Sequence, residues 1–138
     1  MLIRHRIGEK VDCSLDAGKV FRAILDMEDK TDREKEHFWV IGLTTKNAIK
    51  FIELVSLGTL NGSLIHPRET FRRAISQGVC SIVVGHNHPS GDPTPSRDDI
   101  AITQRLKAAG EIIGIELLDH VIIGEKDRFV SLKEKGRL

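Results

Sequence analysis

Six consecutive residues, Phe38-Trp39-Val40-Ile41-Gly42-Leu43, carry no polar side chain. A segment of that length reads as a strand, and a strand apolar toward both faces must be covered on both. The fold this demands is layered, with helices packed against a sheet.

The rest of the chain supplies the layers. Residues 14–26 read as an amphipathic helix: Ser14 can cap it, and Leu15, Val20, Phe21, Ile24 and Leu25 fall mostly on one face. Residues 28–36 read as a charged connection. After the apolar run, Thr45-Lys46-Asn47 looks like a turn, and residues 48–57 return as a second strand, making a hairpin. Asn61-Gly62 is a further turn signal. His66-Pro67-Arg68-Glu69 opens a second helix, with Pro67 at the first position, where its missing N–H removes no helical bond. That helix runs to about Gln77, and Gly78 stops it. Residues 79–85 are a short strand. Ser96 starts a third helix that ends near Gly110; residues 115–123 form another strand and 129–132 a last short one. This order predicts an α/β fold, a mixed β-sheet flanked by helices. The hairpin gives antiparallel pairing, and the later crossovers give parallel pairing.

A length of 138 residues predicts one domain spanning residues 1–138. With 40% hydrophobic and 30% charged residues, the chain is not of the disordered class. Its 21 Lys and Arg against 20 Asp and Glu give no general pull on nucleic acid. Five Phe and one Trp are few for a platform that stacks single strands. The apolar runs fall far short of the ~20 residues a membrane span needs. No apolar stretch follows the early basic residues, so no secretory signal is expected. Cys13 and Cys80 make neither a disulfide scaffold nor a thiolate zinc site. The expected location is the cytoplasm.

One segment carries chemistry: His86-Asn87-His88-Pro89-Ser90-Gly91-Asp92-Pro93-Thr94-Pro95-Ser96-Arg97-Asp98-Asp99. Two histidines two apart at a strand end put both imidazoles on one side of the sheet. Ser96 can cap the third helix and set Asp99 in its first turn. The loop between them is stiffened by three prolines and bent at Gly91, and it can turn Asp99 to face the histidines. Two neutral nitrogens and one carboxylate oxygen leave a fourth position for water, the pattern of a catalytic rather than a structural zinc site. Such an ion lowers the pKa of bound water from about 15.7 to roughly 7–9. Hydrolysis also needs a base. The acidic cluster Glu34 and Glu36, just before the apolar strand, is the best upstream source. The Ser96 hydroxyl could donate to an oxyanion.

This spacing resembles the JAMM (MPN-plus) metalloprotease signature: an upstream glutamate, then His-x-His, seven residues, Ser, two residues and Asp. The flanking residues, with His66-Pro67-Arg68-Glu69 and Leu117-Leu118-Asp119-His120, are similar to the RadC branch of that family over about residues 15–136. The resemblance implies the JAMM/MPN fold, akin to that of cytidine deaminases. It implies His86, His88 and Asp99 as zinc (Zn2+) ligands and Ser96 as the oxyanion donor. It selects Glu36 over Glu34 as the base, since the family's glutamate sits in a Glu-His-Phe setting. RadC-like chains often carry an N-terminal helix-hairpin-helix DNA-binding domain. This chain is expected to lack it, so the DNA-repair label is expected to transfer poorly.

The expected function is a zinc-dependent metallohydrolase, a peptidase or isopeptidase acting on a polypeptide through a metal-bound water, with Glu36 as general base. The competing class is a DNA-repair accessory or DNA-binding protein. That class needs a basic stripe, where the sequence shows only scattered Arg72, Arg73, Arg97 and Arg105. A zinc deaminase needs His-x-Glu and Pro-Cys-x-x-Cys, and neither occurs. A non-haem iron oxygenase could use two histidines and a carboxylate, but needs neither Ser96 nor Glu36. His120, in an apolar strand, reads as a core or supporting histidine rather than a fourth ligand. His66 reads as structural, and His37 as facing away from Glu36 across the strand. Asp92 and Asp98 read as turn or surface residues, and Cys80 as a small buried apolar one.

Overall fold

A computed structural model describes residues 1–58 and 65–138; the Asn61-Gly62 turn signal lies outside them. The elements are β1 (Leu2–Ile3), α1 (Ser14–Asp26), α2 (Lys30–Arg33), β2 (Glu36–Leu43), β3 (Ile49–Gly58), α3 (Pro67–Gln77), β4 (Ser81–Asn87), α4 (Arg97–Ile113), β5 (Glu116–Ile123) and β6 (Phe129–Ser131). The strands form one sheet in the order β1-β3-β2-β4-β5-β6. β4 and β5 run parallel, joined by the α4 crossover, and the other described pairings are antiparallel. The chain is thus α/β, with a mixed sheet covered by helices on both faces.

The apolar run explains the layering. β2 is central, and every position from His37 to Leu43 is buried. Trp39, Ile41 and Leu43 pack with Val20, Phe21 and Ile24 of α1. Phe38 and Val40 pack on the other face with Phe71 and Ala74 of α3 and Ile102 and Leu106 of α4. Each Val, Leu, Ile or Phe among these contributes roughly 1.5–3 kcal/mol by leaving water. α1 lies close on the sheet because Gly85 of β4 has no side chain: a Cβ there would meet the Phe21 ring at 2.6 Å.

The structure departs from the sequence expectations in several places, each with a local cause. Ser14 is the first residue of α1 rather than its cap; Cys13 holds the cap position without a side-chain bond, and Ser14 Oγ donates instead to Glu134. The buried stripe of α1 is Ala17, Val20, Phe21, Ile24 and Leu25, and Leu15, outside that spacing, is exposed. The charged connection contains α2, capped by Asp29, whose Oδ1 accepts from the Asp32 N–H at 2.8 Å. β4 begins two residues later than expected because Val79 completes the end of α3: its N–H returns to the Ala74 carbonyl beyond the left-handed Gly78. α4 passes through Gly110 and stops at Gly114, φ 87°. At Gly110 a side chain would collide with the Ile115 carbonyl, so that glycine serves close packing rather than termination. Cys80 is exposed, not buried, because it lies in the connection between α3 and β4. β1, two residues paired to β3, is too short for any periodicity to reveal.

Candidate metal centre

The C-terminal end of β4 points its histidines toward α4. His86 pairs with Phe38 of β2 and Ile122 of β5, and its ring stacks on Phe38 with centroids 6.5 Å apart. The His88 N–H donates to the Ile123 carbonyl at 2.9 Å, carrying the strand direction one residue past Asn87. The two imidazoles therefore share a face, as the period of two requires. The following loop is tied down at Gly91, φ 92°, whose N–H donates to the His88 carbonyl at 2.9 Å and whose carbonyl accepts from the Glu125 N–H at 2.8 Å. Ser96 then caps α4. Its Oγ accepts from the Asp99 N–H at 3.1 Å, while the Ser96 N–H donates to Asp99 Oδ2 at 2.8 Å. This reciprocal box satisfies two backbone donors and fixes the Asp99 carboxylate.

The three side chains converge. His86 Nε2 lies 3.0 Å from His88 Nε2 and 3.2 Å from Asp99 Oδ1, and His88 Nε2 lies 3.1 Å from Asp99 Oδ2. Ligands bonded tetrahedrally at about 2.0–2.1 Å sit about 3.3 Å from one another. Among the described residues this is the one group of histidine, cysteine and carboxylate atoms arranged to hold a metal ion. Among the described residues there are larger cavities, one of about 500 Å3 lined by Arg22, Arg33, Glu125 and also His88, but none of them brings three such atoms together.

Hydrogen bonds around the group set the ring tautomers. His88 Nδ1 faces the Asp92 carbonyl at 2.9 Å, which only accepts, so Nδ1 carries the proton and Nε2 keeps a lone pair. Thr103 Oγ1 donates to the Asp99 carbonyl at 2.7 Å and so accepts from His120 Nδ1 at 2.6 Å. His120 Nε2 is left as an acceptor for His86 Nδ1 at 2.7 Å, and His86 Nε2 keeps a lone pair. Two lone pairs and a carboxylate thus face one point, an arrangement that calls for a cation. A proton answers the same demand. The hydrogen bond to Asp99 raises the His88 pKa against burial, with the Asp92 carbonyl also helping. Burial alone would push the Asp99 carboxyl up, but when the rings are also protonated at Nε2 their hydrogen bonds and the charge of His86, with the Ser96 N–H, hold it well below the usual range. Burial pulls the His120 pKa well down, which keeps that ring neutral and able to accept.

Glu36, the first residue of β2, lines a cavity of about 170 Å3 with His86, His88, Ser96, Asp98, Asp99 and Ile102. Glu34 sits at the end of α2 and is not among the residues lining that cavity. Asp98 is exposed at the cavity, and Asp92 shapes the turn by accepting from the Thr94 N–H and Oγ1 at 3.0 and 2.7 Å. His37 stacks on Trp39, on the face away from His86. His66 begins α3 through its carbonyl, which accepts from Thr70 Oγ1 at 3.0 Å. Arg73 is taken up by a 3.0 Å ion pair with the buried Glu53. His120 is fully buried and stands behind His86 rather than among the three converging side chains.

Asn87 and Thr103 escaped the sequence reading. Asn87 stands between the two histidines and so faces the α1 side of the sheet. Its Oδ1 accepts from the His37 N–H at 2.6 Å, and its Nδ2 donates to the Lys35 carbonyl at 3.0 Å. These bonds fasten both neighbours of Glu36 to the strand that carries the histidines. The one signal in the sequence is a lone amide at an inward strand position, which requires a polar partner when buried.

The family model for the RadC-like JAB domain matches residues 12–137. A UPF0758 protein of Desulforamulus reducens is 56% identical over 112 residues, which is 81% of this chain and 49% of that protein. A UPF0758 protein of Geobacillus kaustophilus is 56% identical over 110 residues, 80% of this chain and 48% of its own. One of Clostridium botulinum is 54% identical over 114 residues, 83% of this chain and 50% of its own. The chain spans about half the length of these relatives. The family match runs through β4, its loop and the start of α4, and on that footing the chain belongs to the RadC-like JAB domain family.

Proposed function

We propose that this domain is a zinc-dependent hydrolase that cleaves amide or isopeptide bonds in a polypeptide. The observation that supports this reading is the convergence of three cation-seeking side chains on a cavity that also holds a carboxylate, Glu36, and a hydroxyl, Ser96. His86, His88 and Asp99 would hold the ion. Two nitrogens and one oxygen from the protein suit zinc with a position left open, the arrangement of catalytic sites. Zinc, when bound, supplies Lewis-acid polarisation of oxygen.

The chain's own residues do the rest. Glu36 takes a proton from the attacking water and returns it to the departing amine, so one carboxylate serves as base and then as acid. Ser96 Oγ accepts from the Asp99 N–H, which leaves its O–H to donate to the oxygen that becomes charged when the carbonyl is attacked. Asn87 fastens the backbone on either side of Glu36 and so steadies that carboxylate beside the ligands.

Zinc content and hydrolysis of a peptide and isopeptide substrate panel test the reading together. Glu36→Gln should keep zinc and lose about 10²- to 10⁴-fold in hydrolysis, the usual size of a general-base contribution. Asp99→Ala should lose both. Full hydrolysis by Glu36→Gln would remove Glu36 as the base, and a wild-type protein that takes up no zinc would remove the metal.

A further inference from the structure

We infer that His120 is a positioning residue: it accepts the Nδ1 proton of His86 and thereby holds His86 in the tautomer whose Nε2 can ligate. The metal consequence rests on the reading above, whereas the tautomer itself does not.

A histidine that binds a metal usually donates its second N–H to a carboxylate, a carbonyl or a water. His88 follows that habit through the Asp92 carbonyl. His86 does not: its partner, at 2.7 Å, is another imidazole. An imidazole can donate or accept, so it fixes a neighbour only if its own proton is fixed first. Thr103 does this, because its hydroxyl is committed to the Asp99 carbonyl at 2.7 Å and has only a lone pair to offer His120 at 2.6 Å. The links run from β4 to β5 to α4 and close on Asp99, whose carboxylate faces His86 again at 3.2 Å. His120 and Thr103 are both fully buried, and Phe38 stacks on His86 and meets His120 edge-on with centroids 6.0 Å apart.

Remove the acceptor, and the His86 proton has a better place to go. On Nε2 it would donate to Asp99 Oδ1, and that hydrogen bond would take up the lone pair a cation needs. His120→Leu keeps the bulk of the ring and removes only its bonds, so it isolates the effect. His120→Gln restores an acceptor oxygen near the lost Nε2. Thr103→Val, close to Thr in shape, leaves the ring in place but frees its tautomer.

Two measurements on the whole chain test this. In metal-free protein labelled with 15N-histidine, the ring nitrogen shifts should show wild-type His86 protonated at Nδ1, and at Nε2 in His120→Leu. With Co(II) as the probe and a chelator as competitor, His120→Leu should bind about 10- to 100-fold more weakly. His120→Gln should recover most of that loss, and Thr103→Val should fall between. If His120→Leu fails to fold, the same two readings on His120→Gln and Thr103→Val decide the matter. Wild-type His86 protonated at Nε2 and not at Nδ1, or a folded His120→Leu that binds Co(II) as tightly as wild type, overturns the inference. Wild-type protein that shows the expected tautomer yet binds no Co(II) upholds the relay and fells the metal reading alone.

Discussion

The Asp99 carboxylate answers both imidazoles and the Ser96 N–H, while its backbone carbonyl takes the Thr103 hydroxyl. Part of this was legible from spacing. Alternation along a strand puts His86 and His88 on one face, and an N-cap serine fixes the residue three later. Asn87 and Thr103 were not legible, because their partners are backbone groups and rings set by pairing far along the chain. A pH dependence belongs to this scale. The His88 pKa is raised on folding, so its stabilising effect is full below the ordinary value of 6.5 and is lost as pH rises through the folded value. Metal-free protein in chelator should therefore lose unfolding free energy as pH rises above about 6.5. His88→Gln should abolish that loss. Saturating zinc should reverse the slope, since cation and proton compete for the same nitrogen. Denaturant titrations across that range, with and without zinc, measure all three.

At the level of elements, α4 is the part most coupled to the site. Its first turn supplies Asp99, and its capping box orients it. Ser96→Ala should cost about 1 kcal/mol of stability in urea unfolding. It should also weaken zinc binding, because Asp99 loses the bond that ties its backbone to Ser96 Oγ; unchanged zinc affinity would show the carboxylate to be held by other contacts. The starts and stops of α1 and α3 follow from the hydrophobic stripe, Pro67 and Gly78, all of them local signals. The ends of β4 and α4 differ from the sequence expectation where a residue has two plausible duties. Val79 looks like the first residue of a strand but finishes a helix, and Gly110 looks like a stop but is a contact. Cys80 differs for the same reason: its sequence neighbours are apolar, but its position is a connection.

For the whole molecule, the sheet order sets the site where the parallel pair begins, at the C-terminal ends of β4 and β5, under the α4 crossover. Such carboxyl ends are where α/β sheets open a crevice. The layered class was readable because β2 is apolar on both faces, a demand met only between two cores. Strand order was not, since no local pattern says which strand neighbours which. Among the described residues no helix is long and apolar enough to cross a membrane. Because the ligands come from β4 and α4, zinc at about 100 times its dissociation constant should raise unfolding free energy by about 2.7 kcal/mol. Calorimetry should find that increment in wild type and not in Asp99→Ala. The alternation of β4 has one more consequence. Gly85 and Asn87 look toward α1, while Val84 and His86 look toward α4. Inserting or deleting a single residue ahead of Gly85 would trade the two sides wholesale, burying imidazoles under Phe21 and offering the cavity an amide. Point changes can grade this centre up or down, but a frameshift within the strand can only switch it off.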